Sequence, residues 1–326
     1  MYIPTFDDVQ AARQRIEPHV HRTPVLTSSF FNRLSGAELF FKCENFQKAG
    51  AFKVRGASNA VFGLSDDKAK YGVASHSSGN HALSLSYAAG RRGISVTVVM
   101  PKTAPDAKKD AVRGYGGIVR ECEPSTAARE EMLQQVVDET GADFVHPYND
   151  QRVIAGQGTC SLELNEEVGP LDAVVAPIGG GGMISGTCLT MSSIAPHTRV
   201  YAAEPENADD VYRSVRDGRI IEDDAPQTIA DGLKVSMRPR TWHFVSQYVA
   251  DVLLVSEEEI ARAMYLAWQR MKIVIEPSSA VALAAILKNR DTFAGKRVGV
   301  ILTGGNVDLT KLPWMQGLGL EPSVGE

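Results

Sequence analysis

The chain has 326 residues, enough for about two domains with buried cores, so it is not a small disulfide-stabilised scaffold. Hydrophobic residues make up 44% and charged residues 22%, which is typical of a folded protein and excludes a disordered or low-complexity chain. The formal net charge is −5, from 34 Lys and Arg against 39 Asp and Glu. Since no basic block accompanies this balance, we expect no nucleic acid partner.

The chain also lacks targeting and membrane signals. Residues Met1 to Asp8 have neither the basic start nor the apolar core of a signal peptide. The best apolar stretch, Ala280 to Leu287, is far shorter than the roughly 20 residues that cross a bilayer. The cysteines are scattered without a CxxC pair, as expected of reduced thiols: Cys43, Cys122, Cys160 and Cys188. We therefore expect a cytoplasmic protein with no membrane partner.

Short apolar runs alternate with helical patterns along the chain. The runs read as buried strands: Ala37–Cys43, Gly72–Ser75, Ile94–Met100, Ala142–Val145, Ala173–Ile178, Val200–Ala203, Val252–Val255 and Val298–Leu302. The clearest helical patterns are Thr126–Glu139, Glu258–Met271 and Ser278–Leu287. This alternation predicts an α/β fold with parallel sheets, whose sites lie beyond the carboxyl ends of the strands.

The first candidate for chemistry is Lys53, between Phe52 and a Val-Arg-Gly helix start. A single lysine is usually a solvated surface residue. Apolar neighbours can, however, lower the pKa of a lysine from about 10.4 and free its amine to form a Schiff base.

Two loops follow apolar strands and carry small polar residues. In the segment Ser75 to His81, SHSSGNH, a strand ends where a helix begins. Its hydroxyl groups could bind an anion, or Ser77 or Ser78 could simply cap the helix. The segment Thr303 to Asn306, TGGN, would ordinarily pass for a turn.

The glycine run Gly179 to Gly182 lies between an apolar strand and a helix start. Without Cβ atoms, the backbone N–H groups can surround a phosphate, and the helix N-terminus adds about half a positive charge. The alternative is a tight turn that packs strand against helix. Glu204, 22 residues after Gly182, lies near where a ribose-binding acid of a dinucleotide fold would be, but GxGxxG is not met and no Walker lysine follows.

Together, these segments resemble the fold type II pyridoxal phosphate enzymes, specifically the serine racemase and threonine dehydratase family. The resemblance covers nearly the whole chain and rests on six segments in family order: Ala51–Gly56, Ser77–His81, Ala155–Thr159, Gly179–Met183, Glu204–Asp210 and Thr303–Leu309. It implies two three-layer αβα domains with mostly parallel twisted sheets. The large domain would comprise residues 1–64 and 150–326 and the small domain residues 72–148, in a homodimer.

The resemblance implies pyridoxal 5′-phosphate as cofactor, with Lys53 as the Schiff-base lysine that later moves the Cα proton. Further cofactor contacts would be Phe52 and Gly232 on the ring faces, Asn80 at the phenolic oxygen, Gly179, Gly180, Gly181, Gly182 and Met183 at the phosphate, and Thr303 at the pyridine nitrogen. The family often has Ser where this chain has Thr303. A neutral hydroxyl there leaves the nitrogen unprotonated, which favours rapid β-elimination or reprotonation over transamination.

The resemblance also implies a substrate site and a cation site. The substrate carboxylate would be bound by Ser77, Ser78, Asn80 and His81. Ser78 could also act as acid or base on the face opposite Lys53, as in racemase-like members. Glu204, Asp210 and the carbonyl of Ala208 would bind Mg²⁺, Mn²⁺ or Ca²⁺, the alternative being a solvated acidic loop.

The expected reaction is loss of a β-hydroxyl group, because the similarity is to hydroxy amino acid enzymes. Arg129 and His76 match positions near the distal end of the substrate, where an arginine could bind a second carboxylate, or Arg129 could be a surface residue. Tyr148 and Val235 depart from the racemase pattern. We therefore expect a 3-hydroxyaspartate dehydratase that forms oxaloacetate and ammonia, with serine or threonine as lesser substrates.

Three alternatives stay open at this point. Serine racemisation or threonine/serine dehydration could be the main activity. A nucleotide-dependent oxidoreductase is favoured only by Glu204 and the glycine run. A non-catalytic amino acid sensor could keep the same fold.

Overall fold

The computed structural model describes residues 1–223 and 225–316, in which strands and helices alternate. The strands are β1 (Val25–Leu26), β2 (Glu38–Cys43), β3 (Val73–His76), β4 (Val96–Pro101), β5 (Ile118–Cys122), β6 (Asp143–Phe144), β7 (Ala173–Pro177), β8 (Arg199–Pro205), β9 (Val249–Val255) and β10 (Arg297–Leu302). The α-helices are α1 (Phe6–Ile16), α2 (Ser29–Ser35), α3 (Lys53–Phe62), α4 (Asp66–Ala69), α5 (Asn80–Arg92), α6 (Asp106–Gly114), α7 (Thr126–Thr140), α8 (Gln151–Val168), α9 (Gly182–Ile194), α10 (Asp210–Asp217), α11 (Pro239–Tyr248), α12 (Glu257–Met271), α13 (Pro277–Lys288) and α14 (Arg290–Phe293).

The strands form two sheets. The six-stranded sheet has the order β1-β2-β10-β7-β8-β9, and the four-stranded sheet has the order β5-β4-β3-β6. Pairing is parallel throughout, apart from the short antiparallel β1 at one edge. The predicted α/β fold with mostly parallel sheets is therefore confirmed. The domain boundaries stay a prediction, which the confinement of the four-stranded sheet to residues 73–144 supports.

The six-stranded sheet is buried on both faces, as its apolar strands predict. Along β7, Ala173 and Val175 pack in the core with α12 and α13, whereas Val174 and Ala176 pack in the core with α8 and α9. Successive side chains of a strand point to opposite faces, so one apolar run supplies both cores. The result is a three-layer arrangement of helix, sheet and helix.

Helix α3 packs against α5, next to the four-stranded sheet, and against α8 of the six-stranded unit. The approach to α8 is close: a Cβ atom on Gly156 would lie 2.6 Å from the Cα atom of Gly56. The helix begins at Lys53. The candidate Schiff-base lysine is therefore at the junction of the two sheets.

A buried ionic network links α3 to β2 and α8. Arg55 Nε donates to Glu44 Oε2 at 2.7 Å, and Arg55 Nη1 donates to Glu163 Oε1 at 2.7 Å. Lys42 Nζ donates to Glu163 Oε2 at 2.7 Å. All four side chains are buried, and their two positive and two negative charges balance. The network ties α3 to β2 and α8 only while every charge keeps its partner.

The four cysteines are buried and unbridged, and burial raises the pKa of each thiol. Such thiols are poor nucleophiles, which supports the prediction that they have no chemical role. Within the described residues, no helix combines the length and the apolarity needed to span a membrane.

Candidate active site

Lys53 lies in the cleft between the two sheets, held by its neighbours in the chain. Ala51 forms a bridge with Gly304, and Phe52 N donates to Thr303 O at 2.9 Å, so the lysine segment is fixed against the loop after β10. Lys53 Nζ donates to the carbonyl of Pro147 at 2.9 Å and lies 5.1 Å from the centroid of the Phe52 ring. Burial lowers the pKa of Lys53 to about 8. An appreciable fraction of the amine is therefore neutral near pH 8, as nucleophilic attack requires.

The glycine run follows β7 and opens α9, with Gly181 in the left-handed conformation at φ 86°. Packing alone demands glycine here. A Cβ atom on Gly179 would lie 2.8 Å from the backbone of Leu233, and one on Gly180 would lie 2.6 Å from the ring of Tyr148. The alternative of a tight turn that packs strand against helix therefore explains the glycines, and it does not exclude an anion.

The same segment presents unused donors. The residues from Gly179 to Met183 are buried, and in the described part of the chain their backbone N–H groups have no hydrogen-bond acceptor. Buried N–H groups are almost always paired in folded proteins. Together with the positive end of α9, this cluster of donors fits a phosphate group.

A chain of amides and a carboxyl group connects the starts of α5 and α13 with the loop after β10. Asn80 Nδ2 donates to Glu276 Oε1 at 2.8 Å, and the backbone N–H of Asn306 donates to Glu276 Oε2 at 3.1 Å. Asn306 Nδ2 donates to Asn80 Oδ1 at 2.9 Å. Burial raises the pKa of Glu276 to about 7, and the hydrogen bond from Asn80 opposes this shift. Asn80, a predicted cofactor contact, is thereby held in one orientation.

Two further predicted cofactor contacts lie beside these groups. Thr303 directly follows β10 and is buried, and its hydroxyl has no hydrogen-bond partner within residues 1–223 and 225–316. Gly232 is exposed on the turn Asp231–Leu233, where its N–H donates to Ser278 Oγ at 3.0 Å. Because Leu233 touches Gly179, this turn lies next to the glycine run.

The serine loop after β3 does not use its hydroxyl groups to cap α5. The N-cap residue is Gly79, no side chain caps the helix, and Ser77 Oγ accepts a bond from Gly79 N at 3.3 Å instead. The capping alternative for Ser77 and Ser78 is therefore wrong. Over the described residues, the hydroxyl of Ser78 has no partner and is free for a ligand.

His81 is buried on the first turn of α5. Its Nε2 lies 3.3 Å from the carbonyl of Val145, so Nε2 carries the proton, and burial together with Lys53 holds the pKa of His81 well below its usual value. Its Nδ1 is buried without a partner. A contact between His81 and a substrate carboxylate, as predicted, would require the other tautomer.

Aromatic and imidazole rings form one wall of the cleft. The ring centroids of His76 and His146 are 5.8 Å apart, and those of His146 and Tyr148 are 4.6 Å apart. His146 Nδ1 accepts from the N–H groups of Tyr148 and Asn149, and burial lowers the pKa of His146 to about 3. Burial, with Arg129 second, also lowers the pKa of His76, so this wall is neutral at pH 7.

Arg129 is half-buried on the first turn of α7, near His76. Its guanidinium group donates to Thr126 Oγ1 at 3.1 Å and to the carbonyl of Ser125 at 3.4 Å, both at the start of its own helix. Among the described residues it has no acidic partner within ion-pair distance. Its charge is therefore available to an anionic ligand.

The predicted cation site lies where β8 leads into α10. Glu204 is buried, and its two oxygens accept from Val211 N at 3.0 Å and Tyr212 N at 2.9 Å. Asp210 Oδ2 is buried without a partner, and burial raises the pKa of Asp210 to about 6. The described residues contain no cluster of three or more His, Cys, Asp or Glu side chains that could hold a metal ion. The predicted set has two carboxylates and the carbonyl of Ala208, and the unpaired Asp210 oxygen fits a cation.

The comparisons with known proteins agree with this geometry. The family model described as "Pyridoxal-phosphate dependent enzyme" matches residues 16–304. The chain belongs to this family. The β-hydroxyaspartate dehydratase of Paracoccus denitrificans (strain Pd 1222) is 67% identical over 314 residues, covering 96% of this chain and 100% of the relative. The serine racemase of Dictyostelium discoideum is 49% identical, with a TM-score of 0.91 over 94% of this chain and 99% of that chain. A pyridoxal 5′-phosphate-dependent aspartate racemase is 36% identical, with a TM-score of 0.90 over 96% of this chain and 99% of that chain.

The donor set fits the cofactor of a pyridoxal-phosphate dependent enzyme, which combines a phosphate with an aldehyde. The N–H groups of the glycine run suit the phosphate, and the partly neutral amine of Lys53 suits the aldehyde. The oxidoreductase alternative is wrong. Both oxygens of Glu204 are engaged by backbone N–H groups, so this residue is not the ribose ligand that the alternative needed.

Sequence reasoning missed several residues of this pyridoxal-phosphate dependent enzyme. Glu276 directly precedes Pro277, the first residue of α13. In the sequence it therefore looks like an ordinary residue at the start of a helix. Asn306 ends the segment Thr303 to Asn306, in which the sequence predicts no role for it. His146 has no sequence signal, because only the pairing of β3 with β6 brings it beside His76.

Proposed function

We propose that this enzyme is a β-hydroxy amino acid dehydratase whose preferred substrate is 3-hydroxyaspartate, converted to oxaloacetate and ammonia. The observation that carries the proposal is the half-buried Arg129 beside His76, which has no acidic partner within ion-pair distance among the described residues, because an arginine suits a second carboxylate. The name of the Paracoccus denitrificans relative supports the same substrate.

We propose that the cofactor is held as the resemblance implies. Lys53 would bind its aldehyde, and the N–H groups from Gly179 to Met183 its phosphate. The remaining contacts would be Asn80 at the phenolic oxygen, Phe52 and Gly232 at the ring faces, and Thr303 at the ring nitrogen. Bound pyridoxal phosphate supplies the electron sink that lets the Cα–H bond of an amino acid break.

The protein residues would then handle protons and water. Lys53, with a pKa lowered to about 8, can accept the Cα proton as a neutral amine. The hydroxyl groups of Ser77 and Ser78 would hold the α-carboxylate at the start of α5. Arg129 and His76 would hold the distal carboxylate. Loss of the β-hydroxyl as water, followed by hydrolysis, gives one keto acid and one ammonia for each substrate molecule.

The proposal is tested with a panel of substrates. Ammonia and keto acid release would be measured for serine, threonine and the four stereoisomers of 3-hydroxyaspartate, with chiral analysis of the unreacted amino acid. We expect the highest kcat/KM for one 3-hydroxyaspartate isomer. A higher value for serine or threonine would overturn the preference, and a lack of ammonia from every substrate would favour the sensor alternative.

Replacing Arg129 tests the distal contact. In Arg129→Ala, we expect kcat/KM for 3-hydroxyaspartate to fall about 10- to 100-fold, because a charge-assisted hydrogen bond is lost. The fall for serine should be much smaller, since serine has no second carboxylate. Arg120→Ala, on the exposed edge strand β5 of the four-stranded sheet, is the matched control. Equal losses for the two substrates in Arg129→Ala would contradict the assignment.

Serine racemisation is the second candidate function. The observation that favours it is the free hydroxyl of Ser78, which would act as acid or base on the face opposite Lys53. Chiral analysis in the panel separates the two functions: dehydration consumes serine, whereas racemisation converts one enantiomer to the other without releasing ammonia.

We propose that Glu204, Asp210 and the carbonyl of Ala208 bind a divalent cation, Mg²⁺, Mn²⁺ or Ca²⁺. The unpaired, buried Asp210 oxygen supports the site, since buried acceptors are normally satisfied. At a concentration 100-fold above its Kd, the cation should raise the free energy of unfolding by about 2.7 kcal/mol, and excess EDTA should reverse the effect.

The matched variants for this site are Asp210→Asn and Asp209→Asn. Asp209 is adjacent but pairs with Arg213 at 2.7 Å. Thermal unfolding should show that Asp210→Asn abolishes the cation-dependent rise in Tm and that Asp209→Asn keeps it. A wild-type Tm that is indifferent to all three cations would refute the site.

We also propose a cytoplasmic homodimer. Four unbridged cysteines support a reducing compartment. Phe46 and Val274 are both 45% exposed, and the hydrogen bond from Asn45 Nδ2 to the carbonyl of Val274 brings their segments together. An apolar surface of this kind suits a second copy of the chain, which sedimentation analysis would detect.

A further inference from the structure

A second arginine, Arg238, lies near the cleft. It comes from the six-stranded unit, whereas Arg129 comes from α7, which packs on the four-stranded sheet. Arg238 immediately precedes α11, and its Nη1 donates to Glu222 Oε1 at 2.7 Å. Its Nη2 lies 3.9 Å from Glu130 Oε1, on α7. Glu130 is the chain neighbour of Arg129, so the two arginines approach each other across the gap between the six-stranded and four-stranded units.

Arg238 is only partly solvated, with 34% of its side chain exposed, and it borders the ring wall. The hydroxyl of Tyr148 donates to the carbonyl of Ser236 at 3.0 Å, which fixes the backbone two residues before Arg238 against that wall. Arg238 and Lys53 both help to lower the pKa of His146. The guanidinium group of Arg238 and the reactive amine therefore act on the same imidazole.

Three cationic side chains gather around this part of the cleft, with carboxylates close to them. Lys53, Arg129 and Arg238 surround the ring wall, whose two histidines are kept neutral by burial. The nearby carboxylates of Glu130 and Glu222 are mostly exposed, at 59% and 53% of their side chains. Within the described residues, Glu222 is the carboxylate within hydrogen-bond distance of Arg238, at Nη1, and Asp210 adds a negative charge near Tyr148 of the same wall. The remaining N–H groups of the guanidinium are the donors that a substrate carboxylate would use.

We infer that Arg238 is a specificity-determining residue that binds the distal carboxylate of a four-carbon dicarboxylic substrate together with Arg129. This inference rests on the proposed function and deepens it, because one carboxylate would be bound by both units of the protein. Planar guanidinium groups suit such an anion, since each can donate two parallel hydrogen bonds. A monocarboxylic substrate such as serine gains nothing from this contact.

The test compares Arg238→Gln and Arg238→Lys with Glu222→Gln, which removes the close carboxylate partner but keeps the arginine. For each protein, kcat and KM are measured with 3-hydroxyaspartate and with serine. Inhibition constants are measured for succinate, a dicarboxylate, and for propionate, its monocarboxylate counterpart. In Arg238→Gln, we expect the ratio of kcat/KM for 3-hydroxyaspartate over serine to fall about 10- to 100-fold, mainly through KM.

The controls distinguish binding from support of the fold. Succinate inhibition should weaken by a similar factor in Arg238→Gln and be partly restored in Arg238→Lys, whereas Glu222→Gln should keep the substrate ratio within about twofold. Equal losses for both substrates, or unchanged selectivity for succinate over propionate, would overturn the inference. If the wild-type enzyme does not turn over 3-hydroxyaspartate, the proposed function fails, and the succinate and propionate constants still decide whether Arg238 binds a distal carboxylate.

Discussion

Lys53→Ala is expected to lower kcat by at least about 10⁴-fold for every substrate that the wild-type enzyme accepts. The variant loses the amine that is proposed to bind the cofactor and to accept the Cα proton, and a nearby imidazole has no primary amine with which to bind an aldehyde. Ammonia release measures the loss. Borohydride reduction of the wild-type holoenzyme, followed by peptide mapping, should place the cofactor on Lys53.

The matched control for this variant is Lys70→Ala, an exposed lysine outside the cleft. It should keep both the cofactor absorbance and the activity of the wild-type enzyme. Lys53→Ala that still releases ammonia, or a reduced cofactor mapped to another lysine, would refute the assignment on which the proposed mechanism depends.

Arg55→Ala is expected to destabilise the protein by about 3–5 kcal/mol. The substitution leaves Glu44 and Glu163 buried with Lys42 as the one remaining cation that pairs with them in the described part of the chain, so one negative charge is uncompensated. Urea-induced unfolding of the wild type and the variant measures the difference. Because the network anchors α3, the variant should also bind the cofactor more weakly.

An exposed ion pair provides the comparison. Arg120→Ala breaks the pair with Glu139, in which both side chains are about half exposed, and should change the free energy of unfolding by less than about 1 kcal/mol. If Arg55→Ala costs no more than this control, the buried network does not stabilise the position of α3.

The sequence predicts the buried strands of the two sheets and also the short edge strand β6, whose exposed Phe144 lies between the buried Ala142 and Val145. It misses β5, because Arg120 and Glu121 lie within this exposed edge strand and break its apolar pattern. It also misses β1, which has only two residues and no pattern to detect. Burial therefore determines which strands are visible in a single sequence.

The residues of the candidate site also fall into two groups, those that the sequence predicts and those that it misses. Lys53 and the glycine run stand out locally, because each belongs to a short motif at the end of a strand or the start of a helix. Glu276 and Arg238 do not, since their importance comes from groups that lie far away in the chain, such as Asn80 and Glu130. Tertiary contacts of this kind leave no mark on composition or spacing.

The position of β10 has a consequence for how the protein is made. This strand lies in the middle of its sheet, between β2 and β7, yet it is the last strand of the described chain to leave the ribosome. The four-stranded sheet is complete after residue 144 and can form during translation. The nascent chain therefore carries two unpaired apolar strand edges until β10 has been synthesised, and chaperones that shield such edges would act at this stage.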